Sequence, residues 1–141
     1  MEGFELKSKY NLMKKALLYY AAAGTTAIAG ILHLIFASNI ISFNILNGIF
    51  FIIAGIAQLF WVLPMIKRWG RIWYLIGIGG TVILIILWAI TRMPGNPITG
   101  RGGPLNEIGI AIQVFQIAYV VITAIIIVKE RRVSGKNRKI V

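Results

Sequence analysis

Four long apolar runs alternate with short polar stretches along this chain. They cover Ala16 to Ala37, Ile45 to Ile66, Ile72 to Thr91 and Leu105 to Val128. A hydrocarbon core about 30 Å thick needs about 20 helical residues to cross it. Each run meets that length, so the pattern predicts an all-α integral membrane bundle of four transmembrane helices. The whole chain, 1–141, reads as one domain. Its remaining parts are a short N-terminal segment, three connections and a tail over 129–141.

Polar and small residues within the runs assign faces. On a helix turning 100° per residue, Ala22, Thr26, Ala29, Gly30 and Ala37 fall within about 60° of His33. Gly24, Ile28, Ile31 and Ile35 take the opposite side. Small residues let helix backbones approach closely in lipid, whereas branched aliphatics suit a lipid-facing surface. His33 is therefore expected to point into the bundle or toward a partner. Gly48 and Gly55 share a face of the second run, with Gln58 near mid-membrane and Pro64 in the last turn. In the third run, Gly77 to Gly80 and then Thr81 form either a close-approach surface or a weak point in the helix.

The connections carry their own signals. Ser38 to Asn44 is short and uncharged, with Asn44 placed to cap the second helix. The sequence KRWGR makes a tight turn flanked by Trp61, Trp69 and Trp73. Together with Tyr19 and Tyr20, these residues read as interface anchors. The segment over 92–104 holds three of the four prolines and several glycines, which prevents helix and sheet there. Gly103 and Pro104 suit a helix start with proline in the first position.

Composition supports the membrane reading. The chain is 58% hydrophobic and 13% charged, with a mean hydropathy of +0.81. A soluble domain carries about 25% charged residues. The N-terminal segment is acidic as well as basic and offers no cleavage site, so the first run is expected to be a retained span. There are no cysteines, which excludes disulfides, thiolate metal sites, cysteine catalysis and S-palmitoylation.

A net charge of +11 raises nucleic acid as a partner. The distribution argues against it. Lys7, Lys9, Lys14 and Lys15 precede the first span, Lys67, Arg68 and Arg71 separate the second from the third, and Lys129, Arg131, Arg132, Lys136, Arg138 and Lys139 follow the fourth. Only Arg92 and Arg101 lie on the other side. This asymmetry predicts an N-in/C-in topology in the cell membrane, with both termini cytoplasmic. The tail lacks the aromatic residues that stack on bases. It suits anionic lipid head groups or a partner subunit.

Candidate chemistry is sparse. His33, Asn47, Arg92 and Glu107 form a possible outward polar cluster. Ionisable residues inside spans are costly and often functional. Such a cluster could relay protons, bind a small polar ligand or hold one metal. The plainer reading has His33 as a hydrogen-bonded packing residue, Glu107 complementing a helix dipole and Arg92 reaching to the interface. In that reading Glu107 pairs with Arg92 or Arg101. A lone histidine with no cysteine or aspartate is a poor metal site. Gln58, Gln113 and Gln116 are possible buried polar contacts. Gln113 and Gln116 share one face of the fourth span. Glu107 lies about 180° from Gln116, which argues against a continuous proton wire. No phosphate loop, activated nucleophile or carboxylate pair is present. No catalytic, cofactor-binding or metal-ligating residue is assigned, and the chain is not expected to be an enzyme by itself.

His33-Leu34, Phe50-Phe51 with Gln58, Thr91-Arg92 with Gly95 and Pro97, and Glu107 with Gly109 form a pattern across all four spans. It resembles small four-helix membrane proteins of archaea and some bacteria. With its isoleucine- and lysine-rich character, the chain is similar to the accessory subunits of the copper ammonia monooxygenase of ammonia-oxidising archaea. That resemblance implies a non-catalytic subunit among other integral membrane subunits, which would hold the copper. Two other classes are left open: a small homo-oligomeric transporter or channel, with a polar path near His33, Gln58, Gln113 and Gln116, and a membrane enzyme or metal-handling protein centred on His33 and Glu107.

Overall fold

A computed structural model describes the backbone of residues 2–140 and the side chains as far as Val133. The tail side chains of Lys136, Arg138 and Lys139 lie outside the described residues. Among those described, the regular secondary structure is all α-helix. Its elements are α1 (Glu2–Ile40), α2 (Ile45–Phe60), α3 (Val62–Lys67), α4 (Arg71–Arg92) and α5 (Glu107–Ile140). Segments α2 and α3 together form one membrane-length stretch, so four helices are long and apolar enough to cross a bilayer. Two of them overrun the apolar runs. Helix α1 begins well before Ala16, and α5 continues beyond Val128 through the basic tail.

The break between α2 and α3 follows from Pro64. Proline lacks the N–H that would bond the carbonyl four residues back, and its ring crowds that carbonyl. That carbonyl belongs to Phe60, where α2 ends. The buried Pro64 then continues within α3. The KRWGR turn closes with Arg68 in the left-handed region (φ 53°) and Gly70 at φ 118°. Glycine adopts the second conformation without steric cost. At the start of α2, the Asn44 side chain accepts the Asn47 N–H at 3.1 Å, the capping role that its position suggested.

One expected helix start is corrected. Pro104 is not the first residue of the last helix. That helix starts at Glu107, and the Asn106 side chain accepts the Gly109 N–H at 2.5 Å. An asparagine oxygen satisfies one of the orphan N–H groups of a first turn, which proline cannot do.

Helix α1 is the hub, packing against α2 and α3 on one side and α5 on another. Helix α4 has close backbone contacts with α5 and α3 alone. The row α2–α1–α5–α4 therefore closes only at one end, through α3 and the Trp61 indole N–H that donates to the Trp73 carbonyl, and is open between α2 and α4 elsewhere. The buried face of α1 is the small-residue face with His33 at its centre: Tyr19, Ala22, Ala23, Thr26, Ala29, Gly30, His33 and Ala37. Ile28, Ile31 and Ile35 stand exposed on the far side. A tight backbone-to-backbone crossing lies between Gly30 and Gly55. A Cβ on either one would lie 2.9 Å from the other's carbonyl oxygen, so only glycine permits this approach.

Candidate functional site

Among the described residues, no hydrogen bond or ring contact joins the four residues expected to form an outward cluster. His33 is buried, facing Phe51 with ring centroids 5.7 Å apart. Asn47 and Glu107 are exposed in the first turns of α2 and α5. Arg92 lays its guanidinium over the Trp88 ring, 5.4 Å from the centroid, and its Nε is buried without a hydrogen-bond partner. Trp88 in turn covers Gly109, where a Cβ would lie 3.1 Å from the indole nitrogen. The expected pairing of Glu107 with Arg92 or Arg101 is thus replaced by an arginine–tryptophan stack on α5. The reason is geometric. Arg92 and Glu107 sit at the two ends of a loop that bends back over the helix termini, and the buried face of α5 at Gly109 points away from Glu107.

That loop is organised by Asn96, which is only 6% exposed. Its amide nitrogen donates to the Met93 and Arg101 carbonyls at 2.9 and 3.0 Å. Its carbonyl oxygen accepts the Ile98 and Thr99 N–H groups at 3.0 and 2.7 Å. Asparagine side chains mimic backbone turns in this way. Gly95 and Gly100 supply the positive-φ corners.

Deeper in the membrane, polar side chains gather around α1. The His33 Nδ1 lies 2.9 Å from the Ala29 carbonyl oxygen, so that nitrogen carries the ring proton. The Gln58 side chain comes within interaction range of the same ring. The Thr26 hydroxyl donates to the Gln58 backbone carbonyl at 3.1 Å. That carbonyl belongs to the last turn of α2, where orphan acceptors are expected. On α5, Gln113, Gln116, Tyr119 and Thr123 are all buried along one face. The Gln113 Oε1, both amide atoms of Gln116, the Tyr119 hydroxyl and the Thr123 hydroxyl have no partner among the described residues.

A second cluster at the opposite end escaped the sequence reading. The Tyr19 hydroxyl donates to Glu130. Tyr74 packs beside Tyr19 with centroids 6.2 Å apart, and the Arg68 guanidinium lies 4.3 Å from the centre of the Tyr19 ring. Tyr19 is therefore an internal residue, not the interface anchor expected of it, while Tyr20 remains exposed. A helical-wheel signal did exist. Tyr19 lies on the His33 face of α1, and Glu130 lies on the Gln116 face of α5. Ending the last span at Val128 hid the second half of the pair. The contact also fixes an antiparallel register for α1 and α5. Counting equally far from each partner puts His33 and Gln116 at one depth.

Searches of known protein families, curated proteins and solved structures found no match to the chain. Among the described residues, no group of three histidine, aspartate or glutamate side chains could hold a metal ion. Apart from Glu130, Arg68 and Arg92, the polar groups brought together here are amides, hydroxyls and one imidazole, groups that can join helices through hydrogen bonds.

Proposed function

We propose that this chain is a non-catalytic subunit of a larger membrane assembly, inserted with both termini in the cytoplasm. The observation that carries the reading is the helix row left open between α2 and α4 away from the Trp61–Trp73 end. Helix α4 has close backbone contacts with α5 and α3 alone, and only 17% of its apolar window is buried, against 39% for α1. Its Gly79 and Gly80 would have open space around an added Cβ. Small residues of this kind are used where membrane helices meet. Partner helices complete the row, and the basic end lies against anionic head groups of the inner leaflet.

The narrower form of the proposal is an accessory subunit of archaeal copper ammonia monooxygenase, supported by the residue pattern alone. Gentle extraction from native membranes, native electrophoresis and mass spectrometry test both forms. Co-migration with other integral subunits in a fixed ratio is the expected result. Migration alone, or only as a homo-oligomer, overturns the subunit reading.

The buried stripe Gln113, Gln116, Tyr119 and Thr123 favours a second reading, a small transporter or channel in which these groups hold water. That reading requires solute flux in liposomes containing this chain alone. Tight liposomes across a broad panel of ions and small polar solutes would remove it.

A further inference from the structure

The gap between α2 and α4 has defined walls. At the basic end the two helices are tied together, because the Trp61 indole N–H donates to the Trp73 carbonyl at 2.9 Å. Trp61 also packs on Trp73, with centroids 5.9 Å apart. Further along, α2 and α4 have no close backbone contact. Between them is a cavity of about 310 Å³, walled by Ala54, Ala57 and Gln58 of α2 and by Gly77, Gly80 and Thr81 of α4. Thr26 of α1 forms its floor.

One polar group in this apolar space lacks a partner. Gln58 is only 5% exposed, and its Oε1 receives no hydrogen bond. The nearby donors are already used. The Thr26 hydroxyl is committed to the Gln58 backbone carbonyl, and the His33 Nδ1 proton to Ala29. That leaves the His33 Nε2 as an acceptor. The Gln58 Oε1 is itself sealed from the cavity. Turning the amide over, an orientation that the electron-equivalent O and N ends both allow, gives its NH₂ group to that ring nitrogen and its carbonyl oxygen to the cavity. An acyl chain fills the volume and leaves this oxygen bare, a costly state away from water. The size and lining suit a small ligand with an apolar body and one convergent polar contact.

We propose that the α2/α4 cavity binds a membrane-soluble molecule with an apolar body and a hydroxyl head, the hydroxyl donating to the Gln58 side-chain oxygen. The site lies in the same α2/α4 gap that the subunit reading leaves open, so partner helices are taken to pack outside it; labelling of this chain alone in nanodiscs tests the site without testing that reading.

The test uses the whole chain in phosphatidylcholine nanodiscs and a photoreactive long-chain alcohol as the probe. Label is expected on peptides of α2 and α4 facing the cavity. Hexadecanol should compete about tenfold better than its methyl ether, the ratio for about one buried hydrogen bond. Gln58→Met should abolish that preference, with helicity checked by circular dichroism. Gly80→Leu fills the cavity from a position with no neighbour within 4 Å and should abolish the labelling without loss of fold. Equal competition by the ether, or a preference that survives Gln58→Met, overturns the proposal. So does labelling unchanged by Gly80→Leu.

Discussion

Single residues set the closest tolerances in this molecule, and glycine shows it most clearly. Gly30 and Gly55 each face the other's backbone carbonyl, and a backbone oxygen cannot swing aside as a side chain can. Gly30→Ala or Gly55→Ala should therefore weaken the α1–α2 packing by about 1–3 kcal/mol, the usual range for overpacking. Steric-trap or thermal unfolding in detergent measures this. Gly80→Ala is the contrasting variant. It meets open space, gains helix propensity, and should be neutral or stabilising by up to about 1 kcal/mol. At the other end of α1, Tyr19→Phe removes the hydroxyl that donates to Glu130. A loss of about 1–3 kcal/mol is expected in the same unfolding assay. The two cases differ in how they could be read in advance. The close approach at Gly30 and the inward direction of His33 follow from helical periodicity alone. The Tyr19–Glu130 contact depends on a helix that outlasts its apolar run, which hydropathy does not record.

At the scale of elements, breaks and loops follow local chemistry more than hydropathy. Pro64 ends α2 at Phe60 and lets Trp61 turn toward Trp73. Pro64→Ala restores the missing N–H and should join α2 to α3 as one regular helix. Trp61 then loses its bond to the Trp73 carbonyl, giving an expected red shift and greater iodide quenching of tryptophan fluorescence. The loop before α5 depends on Asn96 in a similar way. Asn96→Ala removes bonds made by both ends of the amide, so hydrogen–deuterium exchange over 93–104 should rise by about tenfold or more, equivalent to about 1.4 kcal/mol of lost local stability. Sequence reading found this loop by its prolines and glycines but assigned it no internal order. The hub is one asparagine between Gly95 and Pro97, and a turn-mimicking side chain looks the same in sequence as a solvated one. The Asn106 cap was missed for a related reason, since Pro104 offered the more familiar helix-start signal.

At the scale of the whole molecule, the four spans were legible because length and apolarity alone define them. Their arrangement was not. Nothing in the hydrophobic pattern distinguishes a closed bundle from the open row α2–α1–α5–α4, in which α1 is the hub and α4 lies apart from α2. Orientation can be tested directly because the chain has no cysteine of its own. Thr99→Cys should react with a membrane-impermeant maleimide in intact cells, and Arg132→Cys should react only after permeabilisation; the reverse pattern would invert the topology. The Tyr19–Glu130 contact has a further consequence, because it places both long overhangs at one end. Helix α1 has 39 residues and is about 58 Å long, roughly twice the thickness of the hydrocarbon core. Lys14 and Lys15 stand about 6–8 Å beyond Tyr19 along the axis, but Lys7 stands about 18 Å beyond it. At physiological ionic strength, screening acts over about 8 Å. Under the proposed topology, with head groups near Tyr20, the inner lysines would lie within screening distance of the lipid surface and the outer ones beyond it. On that proposal, the positive charge of α1 would divide by height into a short-range hold on lipid and a reach into solution.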